Sequence, residues 1–298
     1  MKINKKYMIL FLIIIVSIIS IISIILLILN YSNIFEKYEN SNTTNDLPLS
    51  LPLQLPYDVV IVGCARDIEA HLPNTKQKLE MVKSLFRSSK IIIYENDSTD
   101  KTLELLSTWN NENFIKLITE KDVKGIRTER LAYARNVLYK EAMKHNFDLL
   151  IVIDLDNVIN DLTPESITSC FNKDIVEDWA MLGANQTGNY YDMFALKTYD
   201  NWMDIDLMKC RHIDNLPEHF CLTDRYKNIP KDDKPIQVKS CFGGTAIYKK
   251  KYLNNCDYGK GFQMNGNEKI EFCEHVDFNE GVIKNGGKIY INPKFINH

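Results

Sequence analysis

The sequence predicts an α/β fold with a doubly wound, mostly parallel sheet, and three observations predict it. Continuous β-branched runs occur at Asp58–Cys64 (DVVIVGC), Lys90–Tyr94 (KIIIY) and Asp148–Ile153. Stretches with helical spacing separate them. Each run ends in a polar or charged cluster, as expected where strands deliver side chains to one edge of a sheet.

Asp58–Cys64 reads as a strand buried on both faces, because its apolar residues are unbroken instead of alternating. Leu79–Ser88 then shows helical spacing at Leu79, Val82, Leu85 and Phe86. Lys90–Tyr94 is a second strand, running into Glu95-Asn96-Asp97-Ser98. Ser98 or Thr99 caps the next helix, which carries Leu103, Leu105 and Leu106. Phe114–Ile118 is a short third strand, Thr128–Lys144 a longer helix and Asp148–Ile153 a fourth strand. This order sets Cys64-Ala65-Arg66, Asn96-Asp97-Ser98 and Asp154-Leu155-Asp156 on the carboxyl edge, where such sheets bind ligands. After residue 160 the pattern loosens into aromatic clusters at Asn189–Tyr199 and a polar stretch at Lys227–Lys234, then Ile236–Val238 and Gly244–Tyr248.

Met8–Leu29 is a nearly uninterrupted apolar run preceded by Lys2, Lys5 and Lys6. Its length spans a bilayer, and its basic end should stay cytoplasmic. A cleaved signal peptide would have a shorter core ending in small residues, whereas this run enters Asn30-Tyr31-Ser32. The expected organisation is a cytoplasmic tail at 1–7, a transmembrane anchor at 8–29, a stem at 30–56 and one large domain at 57–298. That makes a single-pass type II membrane protein of the Golgi, the ER or an equivalent host or viral membrane system. Asn42-Thr43-Thr44 in the stem is a glycan acceptor if the body is lumenal, whereas Asn96-Asp97-Ser98 and Asn185-Gln186-Thr187 are expected to stay unmodified. A net charge of −3 with no basic tract argues against nucleic acid as a partner. Seven cysteines without a C-x-x-C pair argue against a zinc site. Cys210 and Cys221 could pair in an oxidising lumen, and Cys64 reads as a buried small hydrophobe.

The chemistry is concentrated at Asp154 and Asp156. Side chains two apart on a strand share a face, so both carboxylates can reach one hard cation holding a diphosphate. Asp97, before a helix amino end, can accept hydrogen bonds from a base or ribose; its alternative is an Asx turn and cap. Arg130 and Arg135 on one helix can aim planar guanidinium forks at phosphate oxygens; their alternative is an ordinary charged face.

Tyr94-Glu95-Asn96-Asp97-Ser98-Thr99-Asp100-Lys101-Thr102, Arg130-Leu131-Ala132-Tyr133-Ala134-Arg135-Asn136 and the strand ending in Asp154-Leu155-Asp156-Asn157 resemble the nucleotide-sugar half of GT-A glycosyltransferases. More narrowly, the chain resembles the fungal capsule-associated α-1,3-mannosyltransferase family. The likeness continues through Tyr191-Asp192-Met193-Phe194-Ala195-Leu196-Lys197, Val238-Lys239-Ser240-Cys241-Phe242-Gly243-Gly244 and Glu271-Phe272-Cys273-Glu274-His275-Val276-Asp277. Asp154-Leu155-Asp156 stands where that family often has Leu-Asn-Asp, which brings the chain nearer to GT-A enzymes in general.

The resemblance implies a metal-dependent transferase that moves a hexose, with mannose a candidate, from a nucleotide-diphosphate sugar to a glycan or glycoprotein. The cofactor would be Mn2+ or Mg2+. Arg66, Asp97, Arg130, Arg135 and Asp154 are the expected donor-binding residues, with Gly243 and Gly244 allowing close backbone approach; the alternative for the glycine pair is a plain tight turn. Asp154, Asp156 and His275 are the expected metal group. Glu274 and Asp277, three apart and so on one helical face, are the catalytic candidates. The alternative for His275 and Asp277 is to cap or brace that helix. Tyr191, Asp192 and Trp202 are expected on the acceptor side, where rings cover sugar faces and carboxylates bind hydroxyls. Two rival readings are a catalytically silent scaffold or glycan-binding protein of the same fold and a nucleotidylyltransferase. The intact Asp154/Asp156 pair argues against the first. Cys64-Ala65-Arg66-Asp67 lacks the glycine-rich basic loop of the second.

Overall fold

The computed structural model describes residues 54–173 and 175–298. The expected tail, anchor and all but the last few residues of the stem lie outside the described residues. Among the described residues no helix is long and apolar enough to cross a membrane.

Strand β1 (Leu55–Ala65) leads to helix α1 (Leu72–Ser84), β2 (Phe86–Asn96), α2 (Thr102–Asn111), β3 (Lys116–Glu120), α3 (Arg127–Ala142) and β4 (Leu149–Ile153). These four strands pair in parallel in the order β3-β2-β1-β4. Apolar residues on both faces explain the burial of β1: Val60 and Val62 join one core and Val59 and Ile61 the other. The first helix differs from the expectation over Leu79–Ser88. It starts at Leu72 with Pro73 in its first turn, where the missing N–H costs nothing. It ends before Phe86 because that residue already pairs with Leu55. Leu85 and Phe86 are apolar for the sheet, not for a helix face.

The rest of the chain adds a short helix α4 (Pro164–Thr168), β5 (Trp179–Asn185), β6 (Lys197–Thr198), α5 (Leu207–His212), α6 (Glu218–Cys221), β7 (Ile236–Ser240) and β8 (Thr245–Lys249). A hairpin of β9 (Phe262–Asn265) and β10 (Glu268–Glu271), then α7 (Glu274–Lys284) and β11 (Lys288–Ile296), complete it. One sheet continues through all but the hairpin, in the order β3-β2-β1-β4-β8-β5-β11-β7-β6. It is mixed: β8 runs antiparallel between β4 and β5, β5 and β11 are parallel, and β7 is antiparallel to both its neighbours. The doubly wound parallel part is thus the amino-terminal half. A disulfide joins Cys210 on α5 to Cys221 on α6, with Cα atoms 5.9 Å apart.

Candidate functional site

The carboxyl ends of β1 and β4, the amino-terminal part of α3, the segment after β5 and the first turn of α7 enclose a cavity of about 550 Å³. That volume is in the range of small-ligand sites. At its base lies Arg135, buried on α3. Its Nε donates to Glu274 Oε1 at 2.9 Å and its Nη2 to Asp154 Oδ1 at 3.1 Å. One guanidinium therefore ties the wound half of the sheet to α7. Nη1 is buried without a hydrogen-bond partner, and the group lies 5.1 Å over the Phe242 ring. The expected phosphate contact by Arg135 is corrected accordingly: the fork is committed to two carboxylates, so Arg135 positions them.

Asp154 and Asp156 both line the cavity, just past the end of β4. Leu155 between them also borders the cavity, but its side chain is buried in the core with Val59 and Ile61, and its carbonyl accepts from Thr75 Oγ1 at 2.8 Å. Strand-like alternation thus persists beyond the last paired residue. Asp154 N–H donates to the Gly244 carbonyl at 2.8 Å. Burial pushes its carboxyl up to about 6, with Arg135 opposing and Asp156 adding to the rise. Asp156 Oδ1 accepts from Val158 N–H at 3.0 Å and caps a short 3-10 turn.

Arg66, Arg127 and Arg130 supply positive charge to the cavity wall. Arg66 Nε is 3.6 Å from Asp67, and Arg130 Nη1 donates to the Gly125 carbonyl at 2.6 Å. Arg127 has no hydrogen-bond or ion-pair partner among the described residues. Sequence reasoning passed over it, although it sits three residues before Arg130 on the same helix. Asp97 does not line the cavity. Its carboxylate receives Asp122 N–H at 2.6 Å, Val123 N–H at 3.1 Å and Asn96 Nδ2 at 3.0 Å, so it organises the turn after β3. Asn96 takes its place in the wall.

Gly243 and Gly244 have φ of +71° and +84°, which disfavours any residue with a Cβ. Neither lines the cavity. A Cβ on Gly243 would strike the Ala184 carbonyl and one on Gly244 the Val158 side chain. Instead of meeting a sugar, the pair supports the site, since Gly243 N–H donates to Asp192 Oδ2 at 2.9 Å and Gly244 receives Asp154 N–H. Asp192 lines the cavity, its other oxygen accepting from Ala195 N–H at 3.3 Å; burial pushes its carboxyl up against these bonds.

Tyr191 lines the mouth and is 52% exposed. Trp202 does not reach it: the indole is only 6% exposed, and Nε1 donates to the Arg225 carbonyl at 2.7 Å. Placement on the acceptor side is therefore corrected for Trp202, whose ring is core.

Glu274 and His275 line the cavity from the first turn of α7. Only Glu274 Oε1 is held by Arg135; Oε2 has no hydrogen-bond partner among the described residues. His275 stacks on Phe242 with ring centroids 3.9 Å apart, and neither ring nitrogen has a hydrogen-bond partner. Burial, then the charge of Arg135, holds it neutral, well below the ordinary histidine value. No group of three or more His, Cys, Asp or Glu with metal-holding geometry occurs among the described residues. The expected triple of Asp154, Asp156 and His275 is thus not assembled as a metal-holding group, and His275 is stacked on Phe242 instead. Asp277 is also corrected, because it packs against Gly259 outside the cavity. Helix α7 meets the cavity end-on, so residues a turn further along are carried past it even on the same face.

Burial pushes the Cys64 thiol up to about 12, so at neutral pH it is an inert part of the wall. Asn96 and Asn185 are both buried, and Asn185 Nδ2 donates to the carbonyls of Ile229 and Pro293. Neither amide nitrogen has room for a glycan.

No family model and no curated protein matches the chain. Several solved structures are similar to it at low identity. The mannosyltransferase PcManGT from Pyrobaculum calidifontis, in complex with GDP-Man and Mn2+, is 11% identical with a TM-score of 0.42, over 85% of this chain and 59% of that one. GalNAc-T7 with UDP, GalNAc and Mn2+ is 14% identical with a TM-score of 0.46, over 80% of this chain and 43% of that one. Residues 1–349 of TarS from S. aureus are 14% identical with a TM-score of 0.41, over 78% and 57%. The chain thus spans about half the length of the solved structures it resembles.

Proposed function

We propose that the chain is a GT-A-type glycosyltransferase that moves a hexose, with mannose a candidate, from a nucleotide-diphosphate sugar to a glycan or glycoprotein. The observation that carries this reading is the opening of Asp154 and Asp156 onto one cavity whose wall also holds Arg66, Arg127 and Arg130. Paired carboxylates facing arginines suit a ligand that brings both a cation and a diphosphate. The sequence adds a single-pass type II anchor at 8–29 to the proposal, with the body in a Golgi-like or ER-like lumen.

The donor set fits Mn2+ or Mg2+: Asp154 and Asp156 are hard oxygen ligands, and such ions take one or two carboxylates and complete their shell with phosphate oxygens and water. Once bound, the ion would supply charge to stabilise the leaving diphosphate. The chain's own groups do the remainder. Arg127 and Arg130 face the phosphates, where guanidinium stabilises charge that grows as the glycosyl–phosphate bond breaks. Arg135 holds Asp154 and Glu274 in fixed relation. As the acceptor oxygen bonds to the anomeric carbon, Glu274 Oε2 takes its proton and the nucleoside diphosphate departs.

Full-length protein in detergent with Mn2+ should release nucleotide from one member of a panel of UDP- and GDP-hexoses. Chelation and Asp156→Ala should each abolish release. Equal turnover under all three conditions would remove the metal-assisted reading.

A further inference from the structure

Tyr226 is a second aromatic residue at the mouth of the cavity, 39% exposed. Its position follows from backbone pairing. Asn189 and Asn228 form an antiparallel bridge, and Tyr190 N–H donates to the Lys227 carbonyl at 2.8 Å. Tyr191 and Tyr226 follow outward from this pairing on their two segments, and both line the cavity. They make no ring contact with each other among the described residues.

Three restraints hold Tyr226 there. Trp202 Nε1 donates to the Arg225 carbonyl at 2.7 Å, and Arg225 Nη1 returns a bond to the Trp202 carbonyl at 3.1 Å. Lys227 lies 4.8 Å over the indole on the other side. The Cys210–Cys221 disulfide closes the preceding α5–α6 segment. An exposed aromatic residue with this much support beneath it is not a loose surface side chain.

We propose that Tyr191 and Tyr226 together form the subsite for the sugar ring that receives the hexose, so that the acceptor is a pyranoside and not a peptide hydroxyl. This rests on the glycosyltransferase reading above. A pyranose has an apolar C–H face that a phenol ring covers and equatorial hydroxyls that carboxylates bind. The cavity presents both, the rings at its mouth and Asp192 and Glu274 further in. A serine or threonine side chain offers no such face.

The test uses full-length protein in detergent with Mn2+ and two acceptor probes, a set of methyl hexopyranosides and N-acetyl-threonine amide. Hexoside binding is also followed directly by saturation-transfer NMR. A hexoside should be the better acceptor. Tyr226→Ala should raise its KM roughly tenfold with a much smaller change in kcat, and Tyr226→Phe, which keeps the ring, should restore it. An unchanged KM in Tyr226→Ala, or preference for the threonine amide, overturns the subsite. If the wild type releases no nucleotide from any donor yet binds a hexoside through Tyr226, the transferase reading fails and the sugar subsite stands. Neither release nor binding overturns both.

Discussion

The two halves of the sheet furnish one cavity by different means. The parallel half, β3-β2-β1-β4, delivers charge from helix starts and strand ends: Arg66 after β1, Arg127 and Arg130 on α3, Asp154 and Asp156 after β4. The mixed half delivers shape and further carboxylates, mostly from connecting segments: Tyr191 and Asp192 after β5, Tyr226 beyond the disulfide, and Glu274 at the start of α7. Strand ends in a wound sheet are fixed by ladder hydrogen bonds, so they suit an invariant diphosphate chemistry. Connecting segments can vary without disturbing the sheet, which suits recognition of one acceptor among many. Arg135 joins the halves: among the described residues, only its guanidinium bonds a carboxylate from each.

The largest effect should come from the charged half. Asp156→Ala should abolish transfer and weaken Mn2+-dependent nucleotide binding while leaving the fold intact, because Asp156 only caps a three-residue turn. Titration calorimetry with nucleotide, with and without Mn2+, checks this; unaltered metal dependence would place the cation elsewhere.

Breaking the seam should come next. Arg135→Ala leaves Glu274 and Asp154 without their shared cation, an arrangement that typically costs about 3–5 kcal/mol. Arg135→Lys should recover only part, since a single ammonium cannot reproduce two directed bonds. Urea unfolding of the three proteins measures it. Wild-type stability in Arg135→Ala would mean that the two halves are held together without this pair.

The mixed half should respond in rate and not in donor affinity. Glu274→Gln should lower kcat roughly 100-fold. Nucleotide affinity should barely move, because the proposed phosphate and cation contacts lie in the other half. Equal losses in both would move Glu274 into the donor pocket and erase the division of labour.

The same contrast governs what could be read from the residues alone. β1, β2 and β4 declare themselves because their buried runs are unbroken and rich in β-branched residues. β5 (WAMLGAN) and β11 (KIYINPKFI) do not. The first has no β-branched residue, and the second contains Pro293 where its pairing with β5 jumps from Ile291 to Ile296. At the site, the pair Asp154/Asp156 is legible because alternation is local. Other roles depend on neighbours distant in sequence. Asp97 looks like a ligand residue until the N–H groups of Asp122 and Val123 are seen to occupy it. Trp202 looks like a sugar platform until Arg225 is found on its indole nitrogen. Tyr226 carries no local signal, since it reaches the cavity wall through a segment whose partner, bridged at Asn189–Asn228, lies more than thirty residues away in sequence.

The smallest effect concerns Asp277, which lies outside the cavity. Burial pushes its carboxyl up to about 6, with Glu280 and Asp257 adding to the rise and Lys284 opposing it. A raised carboxyl is more easily protonated in the folded chain than in the unfolded one. Its contribution to stability is therefore complete below the ordinary aspartate value near 4 and is lost as pH rises through about 6. Asp277→Asn removes that loss. The variant should match the wild type at pH 4 and melt a few degrees higher at pH 7.5, with kcat nearly unchanged. A melting difference that stays constant across the range would show that Asp277 ionises without penalty. A fall in kcat as large as that of Glu274→Gln would instead return Asp277 to the chemistry, against its position beyond the end-on contact of α7 with the cavity.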